Sequence, residues 1–283
     1  MLKIAVPNKG ALSEGAVRLL TESGFRCQRT GRELTVSDPG NDMEFLFLRP
    51  RDVAVYVGGG IIDLGITGRD LAVDSGAAVT ELMPLDFGRS RFCFAAPKEL
   101  GLTSPRQLDK MRIACSYPSL LREKLAELNL CCSVVRLDGA VELSVKLGIA
   151  DAIADVVESG STLKEAGLAV VGEPLLHSEA ILIGGRPDSG ELPAARKLMA
   201  RMKGVIVAAS YVMVEYDIKR EALEAACRIT PGVEAPTVSP LANPDWVAVK
   251  AMVRRKECNR IMDELYDIGA RGIFVADIRS CRL

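Results

Sequence analysis

The sequence predicts an α/β protein whose parallel or mixed sheets are covered by helices, followed by a smaller module with its own sheet. Strand-like apolar runs alternate with helical patterns through the first two thirds of the chain. The last third has the order β-α-β-β-α-β, which is that of a ferredoxin-like domain. Hydrophobic residues make up 48% of the chain but aromatic residues only 5%. The core must therefore be mainly aliphatic, as is usual for buried parallel strands.

The elements are expected in three groups. In residues 1–90 we predict strands at 3–6, 44–48 and 63–66, with helices at 13–24, from about 52 and from about 69. Residues 91–183 predict strands at 92–96, 112–114, 133–136, 151–157, 168–172 and 180–183, with helices at 105–110, 119–129, 139–147 and 161–166. A polar break at 184–190 precedes a helix at 192–202. The last module is predicted as strands at 205–216, 237–240, 245–253 and 272–278 and helices at 219–228 and 256–268.

Charge and cysteine content exclude several classes of protein. The formal net charge of −1 argues against bulk attraction to nucleic acid or to an anionic membrane, although it permits a local basic pocket. No apolar run approaches the roughly 20 residues of a membrane span, and no secretory signal is recognisable. The eight cysteines form no C-x-x-C pair, so we interpret them as reduced core thiols. We therefore expect a cytoplasmic protein that binds neither nucleic acid nor membrane.

The most informative segment is the strand-to-helix turn from Asp155 to Leu163. An apolar strand carrying carboxylates leads into the small polar residues Ser159–Thr162, where Gly160 lets the backbone approach a ligand closely. Backbone N–H groups at a helix start bind anions, and carboxylates just before them suit sugar hydroxyls or magnesium. The pattern indicates a phosphoribosyl-binding loop. The alternative is an ordinary helix N-cap, for which the same small residues are common.

Short motifs that lie in order along the full chain indicate a family. They are Ala5–Gly10, Phe47–Asp52, Asp63–Leu71, Arg136–Glu142, Asp155–Leu163, Gly172–Leu175, Thr230–Gly232, Asp245–Val249 and Ile261–Leu265. Each is weak alone, but together they are specific. The chain resembles the long, three-domain form of ATP phosphoribosyltransferase, the family that catalyses the first step of histidine biosynthesis.

The resemblance implies a reaction between ATP and phosphoribosyl diphosphate. N1 of adenine attacks the anomeric carbon, giving N1-(5-phosphoribosyl)-ATP and pyrophosphate, and histidine inhibits by feedback. Because the ring gains positive charge as pyrophosphate leaves, catalysis is expected from positioning and charge stabilisation, with no catalytic nucleophile or base. Mg²⁺ would neutralise the pyrophosphate oxygens, and its protein ligands stay unassigned. The single histidine, His177, is interpreted as a surface or interdomain residue rather than a catalyst.

The resemblance also assigns the sugar-phosphate half of the substrate site. The residues expected at the 5-phosphate form one loop: Ser159, Gly160, Ser161 and Thr162. The ribose hydroxyls are assigned to Asp155 and Glu142. The family often has a basic residue after the loop glycine, so Ser161 would donate only through its hydroxyl and backbone.

The nucleotide half is assigned to basic and aromatic residues. Lys9, Arg49 and Arg51 are candidates for pyrophosphate and the ATP phosphates, since guanidinium groups match phosphate oxygens. Asp70 and Tyr117 are expected to contact the purine nucleotide. The alternatives are that Lys9 and Arg51 are solvated surface charges and that Tyr117 only packs a turn. Cys115 stands where the family commonly has threonine, which weakens this part of the assignment.

Domain limits and regulation follow from the resemblance as well. It implies a two-lobed catalytic part similar to type II periplasmic binding proteins, with lobe I at 1–90 and 184–210 and lobe II at 91–183. The ferredoxin-like regulatory domain would occupy 211–283, with Asp217 and Thr237 as candidate histidine contacts. The alternative for these two is structural: Asp217 ends a strand and Thr237 packs in the sheet. Homodimers that assemble into homohexamers are expected.

Two rival functions remain. One is a small-molecule binding protein without catalysis, which the missing signal peptide and the acidic residues before the hydroxyl loop disfavour. The other is a phosphoribosyltransferase that acts on a different base. An assay of pyrophosphate release with ATP, Mg²⁺ and phosphoribosyl diphosphate distinguishes an enzyme from the first rival. Replacing ATP by other nucleotides or free bases in that assay distinguishes the second rival.

Overall fold

A computed structural model describes residues 1–31, 33–157 and 160–282. The chain divides into two compact units, one formed by residues 1–21 and 25–197 and the other by residues 22–24 and 198–283. Each unit is described by itself. Within the described residues, no helix has the length and apolar character needed to cross a membrane.

The first unit alternates strands with short helices. Its first half contains β1 (Leu2–Pro7), α1 (Gly10–Glu22), β2 (Thr35–Asp38), β3 (Met43–Leu48), α2 (Pro50–Gly58), β4 (Leu64–Gly68), α3 (Arg69–Ser75) and β5 (Thr80–Pro84). Its second half contains β6 (Ser90–Pro97), β7 (Arg112–Cys115), α4 (Pro118–Glu127), β8 (Ser133–Arg136), α5 (Leu143–Lys146), β9 (Ala152–Val157), α6 (Ser161–Glu165), β10 (Leu168–Ser178), β11 (Ala180–Gly184) and the start of α7 (Pro193–Ala209).

These strands form two mixed sheets. The six-stranded sheet has the order β2-β3-β1-β4-β11-β5, and β1 runs parallel to both β3 and β4. The five-stranded sheet has the order β10-β6-β9-β7-β8, and β7 runs parallel to both β8 and β9. The loops that follow parallel strands therefore gather at one edge of each sheet, where open α/β sheets bind ligands.

Both faces of the five-stranded sheet are buried. Alternate residues of β6 point to opposite faces, and they belong to two separate apolar clusters. One cluster contains Phe92 and Phe94 with residues of α4, and the other contains Cys93 and Ala95 with Leu163 of α6. Burial on both faces explains the continuous apolar run in this strand.

The second unit has ferredoxin-like topology. It contains β12 (Tyr211–Lys219), α8 (Leu223–Ile229), β13 (Thr237–Pro240), β14 (Trp246–Arg254), α9 (Cys258–Asp267) and β15 (Arg271–Asp277). The sheet order is β13-β14-β12-β15, with every neighbouring pair antiparallel. Even-numbered residues of β12 are buried in a cluster that includes residues of both helices, while the odd-numbered residues 211–217 are only partly buried and Lys219 is exposed. The predicted β-α-β-β-α-β order is confirmed.

One predicted strand is wrong in its first half. Residues 205–209 belong to α7, and β12 begins only at Tyr211. Leu198, Met202, Val205 and Ala208 are buried at intervals of three and four residues, which places them on one side of the helix. The apolar residues from Val205 onward thus belong first to the buried side of a helix and then to the strand that follows it directly. The length of an apolar run in the sequence does not by itself distinguish a helix from a strand.

Other elements differ in extent. The helix predicted at 139–147 is a single turn, α5, because Ala140 has φ of +49° and interrupts helical geometry. The helix predicted at 105–110 is one 3₁₀ turn at Pro105–Leu108. The strand predicted at 168–172 continues to Ser178, and strands β2 and β5 were not predicted. The division of the first unit into two lobes, and the limits given for them, stay a prediction.

Candidate functional site

The loop after β9 lines a cavity of about 360 Å³. The described residues around it are Glu142, Asp155, Val156, Val157, Gly160, Ser161, Thr162 and Leu163. Ser159, the remaining residue of the predicted phosphate loop, lies outside the described residues, as does Glu158. Five of the six residues assigned to the sugar-phosphate half of the substrate are therefore brought together around one cavity.

The conformation of this loop depends on Gly160. Its φ of +78° lies in the left-handed region, which residues with a Cβ adopt only at a cost. Gly160 is the N-cap residue of α6, which is only five residues long, so its dipole is small. Ser161 and Thr162 are exposed at the first turn. Any affinity for an anion must come from loop N–H groups and hydroxyls rather than from a long helix.

Asp155 and Glu142 give the cavity an acidic side. Burial raises the pKa of Asp155, and the hydrogen bond that its Oδ1 accepts from the N–H of Val156, at 2.8 Å, opposes this. The carboxylate of Glu142 also raises the pKa of Asp155, whereas the guanidinium of Arg51 lowers it. Two carboxylates sharing a half-buried cavity are suited to accept hydrogen bonds from vicinal hydroxyls or to meet a cation.

Two predicted basic residues lie at the carboxyl edge of the six-stranded sheet. Lys9 follows β1 by two residues and Arg49 directly follows β3, and Pro7 pairs with Leu48 in the parallel register. Both side chains are exposed, and neither has an ion-pair partner among residues 1–31, 33–157 and 160–282. These two cations are thus available to an anionic ligand at this edge.

Arg51 has a more defined environment than sequence reasoning allowed. Its Nη1 lies 3.3 Å from Oδ2 of Asp74, and its guanidinium carbon lies 4.6 Å from the centroid of the Tyr117 ring. The side chain therefore combines an ion pair with a cation–π contact. Arg51 is therefore neither an unpaired cation that awaits a phosphate nor an isolated, solvated charge.

Asp70 is almost fully buried at the start of α3. Its N–H donates to Oγ of Ser178 at 3.0 Å, and its Oδ1 accepts the Ser178 hydroxyl at 2.9 Å. Oδ1 also accepts the N–H of Leu71. Ser178 ends β10 of the five-stranded sheet, so these bonds connect α3 to that sheet.

Tyr117 lies two residues after β7, and its ring makes an edge-to-face contact with the Phe92 ring at a centroid distance of 5.8 Å. Burial raises the pKa of Tyr117, and the carboxylate of Asp70 raises it further, so the phenol keeps its proton and can donate a hydrogen bond. Burial also raises the pKa of Cys115 to about 12, and its Sγ accepts the N–H of Tyr117 at 3.1 Å. This thiol is neutral and acts as a structural neighbour of the tyrosine.

A second cavity, of about 330 Å³, shares Val157 with the first as a lining residue. Its lining is basic: Arg69, Arg89, Ser90, Arg91, Val157, His177, Ser178 and Glu179. Arg69 is compensated by Glu81 at 2.7 Å and by Glu179 at 3.4 Å, and Arg89 is paired with Asp86. His177 is exposed here and is not among the described residues that line the acidic cavity.

Comparison with known proteins assigns the family. The sequence model of ATP phosphoribosyltransferase matches residues 49–204, which is more than half of the chain, and the model of that family's C-terminal domain matches residues 208–280. The chain belongs to the ATP phosphoribosyltransferase family. It is therefore an enzyme, and the resemblance stated from short motifs is confirmed.

Curated relatives named ATP phosphoribosyltransferase match this chain over their full length. The ATP phosphoribosyltransferase of Salinibacter ruber is 54% identical over 283 residues, and that of Mycobacterium tuberculosis is 53% identical over 284 residues, with both chains covered completely in each case. Among solved structures, the ATP phosphoribosyl transferase (HisG:HisZ) complex from Thermotoga maritima has a chain with a TM-score of 0.60 and 26% identity. The match covers 72% of the present chain and 99% of that one.

A likeness outside the ATP phosphoribosyltransferase family concerns the fold alone. The substrate-binding protein of an amino acid ABC transporter has a TM-score of 0.50 at 10% identity, covering 74% of this chain and 94% of the other. Together with the match to the C-terminal domain of the family, it confirms the predicted fold class.

The two candidate effector residues share one face of the C-terminal sheet. Asp217 pairs with Ala248 and Thr237 pairs with Lys250, and these two β14 residues lie two positions apart. Because side chains alternate along a strand, all four point to the face opposite the buried helices. Asp217 is partly buried within β12 rather than at its end, whereas Thr237 begins the exposed edge strand.

Sequence reasoning missed two residues that organise the site. Ser178 holds Asp70, and Asp74 joins Arg51 to the start of α4 through hydrogen bonds from Ser119 and Leu120. Asp74 carries a signal that was available in the sequence, since it lies one helical turn after Asp70 and thus on the same side of α3. Ser178 had no such signal, because its partner lies 108 residues earlier.

Proposed function

We propose that this member of the family transfers the phosphoribosyl group of phosphoribosyl diphosphate to N1 of the ATP adenine. The products are N1-(5-phosphoribosyl)-ATP and pyrophosphate, and the reaction is the first step of histidine biosynthesis. The observation that carries the proposal is the acidic cavity of Glu142, Asp155 and residues 160–163, whose Asp155 carboxylate interacts electrostatically with Arg51 of the Arg51–Tyr117 contact. The cavity suits a sugar phosphate, and the neighbouring aromatic and cationic groups suit a nucleotide.

The sugar-phosphate half uses the loop and the two carboxylates. The N–H groups and hydroxyls of Ser161 and Thr162, with Ser159, would hold the 5-phosphate, and Gly160 gives the backbone the turn that this requires. Asp155 and Glu142 would accept hydrogen bonds from the ribose hydroxyls. Their negative charge would also stabilise the positive charge that develops on the ring as pyrophosphate departs.

The nucleotide half of the site uses residues that follow strands of the two sheets. Tyr117 and Asp70 would contact the purine nucleotide, and Arg51 together with Lys9 and Arg49 would meet phosphate oxygens. Adenine N1 has a free lone pair, so the attack needs no general base. The side chains therefore orient two substrates and balance charge, and their contribution is effective concentration rather than proton transfer.

Mg²⁺ is proposed to arrive with the substrate phosphates. Within the described residues, no group of three or more histidine, cysteine or acidic side chains could hold a metal by itself. Mg²⁺ commonly takes one or two carboxylates together with substrate phosphates and water, and Asp155 with Glu142 would supply such a pair. The ion would neutralise charge on the pyrophosphate group.

Regulation by histidine is proposed at the open face of the C-terminal sheet. Asp217 could meet an ammonium or imidazole group, and Thr237 could donate from the edge strand. Two strand spacings of about 4.8 Å separate β12 from β13, so one amino acid would have to lie across β14 to meet both. We further propose a cytoplasmic enzyme that forms homodimers and homohexamers and has no nucleic-acid or membrane partner.

The proposal is tested by measuring pyrophosphate release with ATP, Mg²⁺ and phosphoribosyl diphosphate. We expect release that requires all three and a product in which adenine N1 carries the ribose. Binding of phosphoribosyl diphosphate without any release would support the rival of a binding protein. Release with another nucleotide or free base, but not with ATP, would support a different phosphoribosyltransferase.

A further inference from the structure

Asp74 connects the two sheets of the first unit at the point where the proposed nucleotide site lies. It sits on α3, one turn after Asp70, and its side chain is only 12% exposed. Its Oδ1 accepts the backbone N–H groups of Ser119 at 2.9 Å and Leu120 at 3.1 Å. Both donors belong to the first turn of α4, which follows β7 in the other sheet.

The second oxygen of the same carboxylate holds Arg51. Oδ2 lies 3.3 Å from Nη1 of Arg51, whose guanidinium stacks on Tyr117, the N-cap residue of α4. The contacts thus form a closed ring of four groups: carboxylate, guanidinium, tyrosine ring and helix start. Each group limits the movement of the next. Arg51 lies in the first turn of α2, which follows β3 of one sheet, whereas Tyr117 follows β7 of the other.

We propose that Asp74 is a positioning residue that fixes Arg51 against Tyr117 and thereby sets the affinity for ATP. Asp74 itself touches no substrate. Without its charge, Arg51 loses the partner that orients the guanidinium plane, and half of that side chain is already open to solvent. The nucleotide would then have to order Arg51 on binding, which costs side-chain entropy.

The same geometry excludes a role for the α4 N-terminus as a phosphate site. Two of its first N–H groups already donate to Asp74. An anion placed there would have to displace a carboxylate that is held on both oxygens. The phosphates of ATP are therefore expected at Arg51 and the exposed cations near it.

Asp74→Asn separates positioning from simple capping. The amide oxygen of asparagine can still accept the N–H groups of α4, so the cap survives, but the amide cannot form an ion pair with Arg51. We expect KM for ATP to rise roughly three- to tenfold, with KM for phosphoribosyl diphosphate changed less than about twofold. The melting temperature should stay close to that of the parent chain.

Asp109→Asn is the matched control. Asp109 also accepts a backbone N–H, from Cys131 at 2.8 Å, but it has no arginine partner within the described residues. The Asp109→Asn substitution removes the same charge from the same unit. Because Asp109 holds no arginine among the described residues, the KM of this variant for ATP should equal that of the parent chain. A rise with both variants would assign the effect to net charge and would overturn the proposal.

A double-mutant cycle with Arg51→Gln supplies the decisive readout, because positioning acts through Arg51. ATP binding is measured by calorimetry on the full chain. Once Arg51 is gone, adding Asp74→Asn should weaken ATP binding no further. If the losses of ATP affinity from the two substitutions multiply in the double variant, Asp74 acts by another route and the proposal is wrong. If Asp74→Asn weakens the binding of both substrates equally and lowers the melting temperature, the role of Asp74 is purely structural.

This inference rests on the proposed function, and the two fail differently. If the parent chain releases no pyrophosphate from ATP and phosphoribosyl diphosphate, the proposed function is wrong whatever Asp74 does. If the parent is active and Asp74→Asn leaves both KM and calorimetric affinity for ATP unchanged, only the positioning role is wrong.

Discussion

Replacing Gly160 by alanine tests the phosphate loop with little disturbance elsewhere. Among the described residues, the new Cβ would meet only Cγ1 of Val157, at 3.7 Å, which is ordinary van der Waals contact. The cost is therefore conformational, because φ of +78° lies in the left-handed region, where a residue with a Cβ loses about 1–2 kcal/mol. If substrate binds only the present loop conformation, that cost appears in binding as a loss of roughly 5- to 30-fold.

The assay is the KM for phosphoribosyl diphosphate at saturating ATP, read from pyrophosphate release. We expect it to rise within that range in Gly160→Ala, while KM for ATP changes much less. Gly167→Ala is a close control, because Gly167 lies just after the other end of α6 with φ of +73°, and a Cβ added there would meet no atom of the described residues within 4 Å. It should carry a similar conformational cost without the loss of affinity.

The reasoning is refuted if KM for phosphoribosyl diphosphate stays within about twofold in Gly160→Ala. It is also refuted if Gly167→Ala raises this KM equally, because the effect would then come from general destabilisation of α6 and not from the loop conformation.

Three further variants test neighbouring claims. Thr162→Val keeps the shape of an exposed side chain but removes its hydroxyl, so KM for phosphoribosyl diphosphate should rise about tenfold, whereas the exposed Thr35→Val should leave it unchanged. Asp155→Asn should also raise KM for phosphoribosyl diphosphate, yet it should raise the melting temperature at neutral pH. The reason is that burial raises the pKa of Asp155 and thus penalises its ionised form in the folded state. That gain should vanish below the ordinary carboxyl pKa, where Asp155 is protonated in both states, and a gain independent of pH would contradict it. Asp217→Asn should reduce inhibition by histidine with basal turnover retained, while Asp263→Asn, on the helical side of the same unit, should keep full inhibition.

The sequence was sufficient to predict conformation where the pattern lies within a few neighbouring residues. The turn from Asp155 to Leu163 has a strand before it, a glycine inside it and a helix start after it, and all three are local properties of a few residues. The two carboxylates around its cavity are 13 positions apart, and only the family resemblance brought Glu142 into the site. The ferredoxin-like order followed in the same way from the sequence of elements.

Contacts between distant segments could not be predicted in this way. Arg51, Asp74 and Tyr117 lie in three separate segments of the sequence, and only the packing of the two sheets makes one network of them. The strand predicted from Val205 failed for a related reason, because a buried helix side and a buried strand give similar apolar runs when one follows the other directly. Tertiary packing decided both cases.

The central claim is that the loop of residues 159–162 holds the 5-phosphate of phosphoribosyl diphosphate. A crystal structure of the full chain with phosphoribosyl diphosphate and Mg²⁺ tests it directly. We predict density for the 5-phosphate against the N–H groups and hydroxyls of this loop, with the ribose hydroxyls at Asp155 and Glu142. Density for the 5-phosphate at Lys9 and Arg49, or in the basic cavity of Arg69 and Arg91, would contradict it.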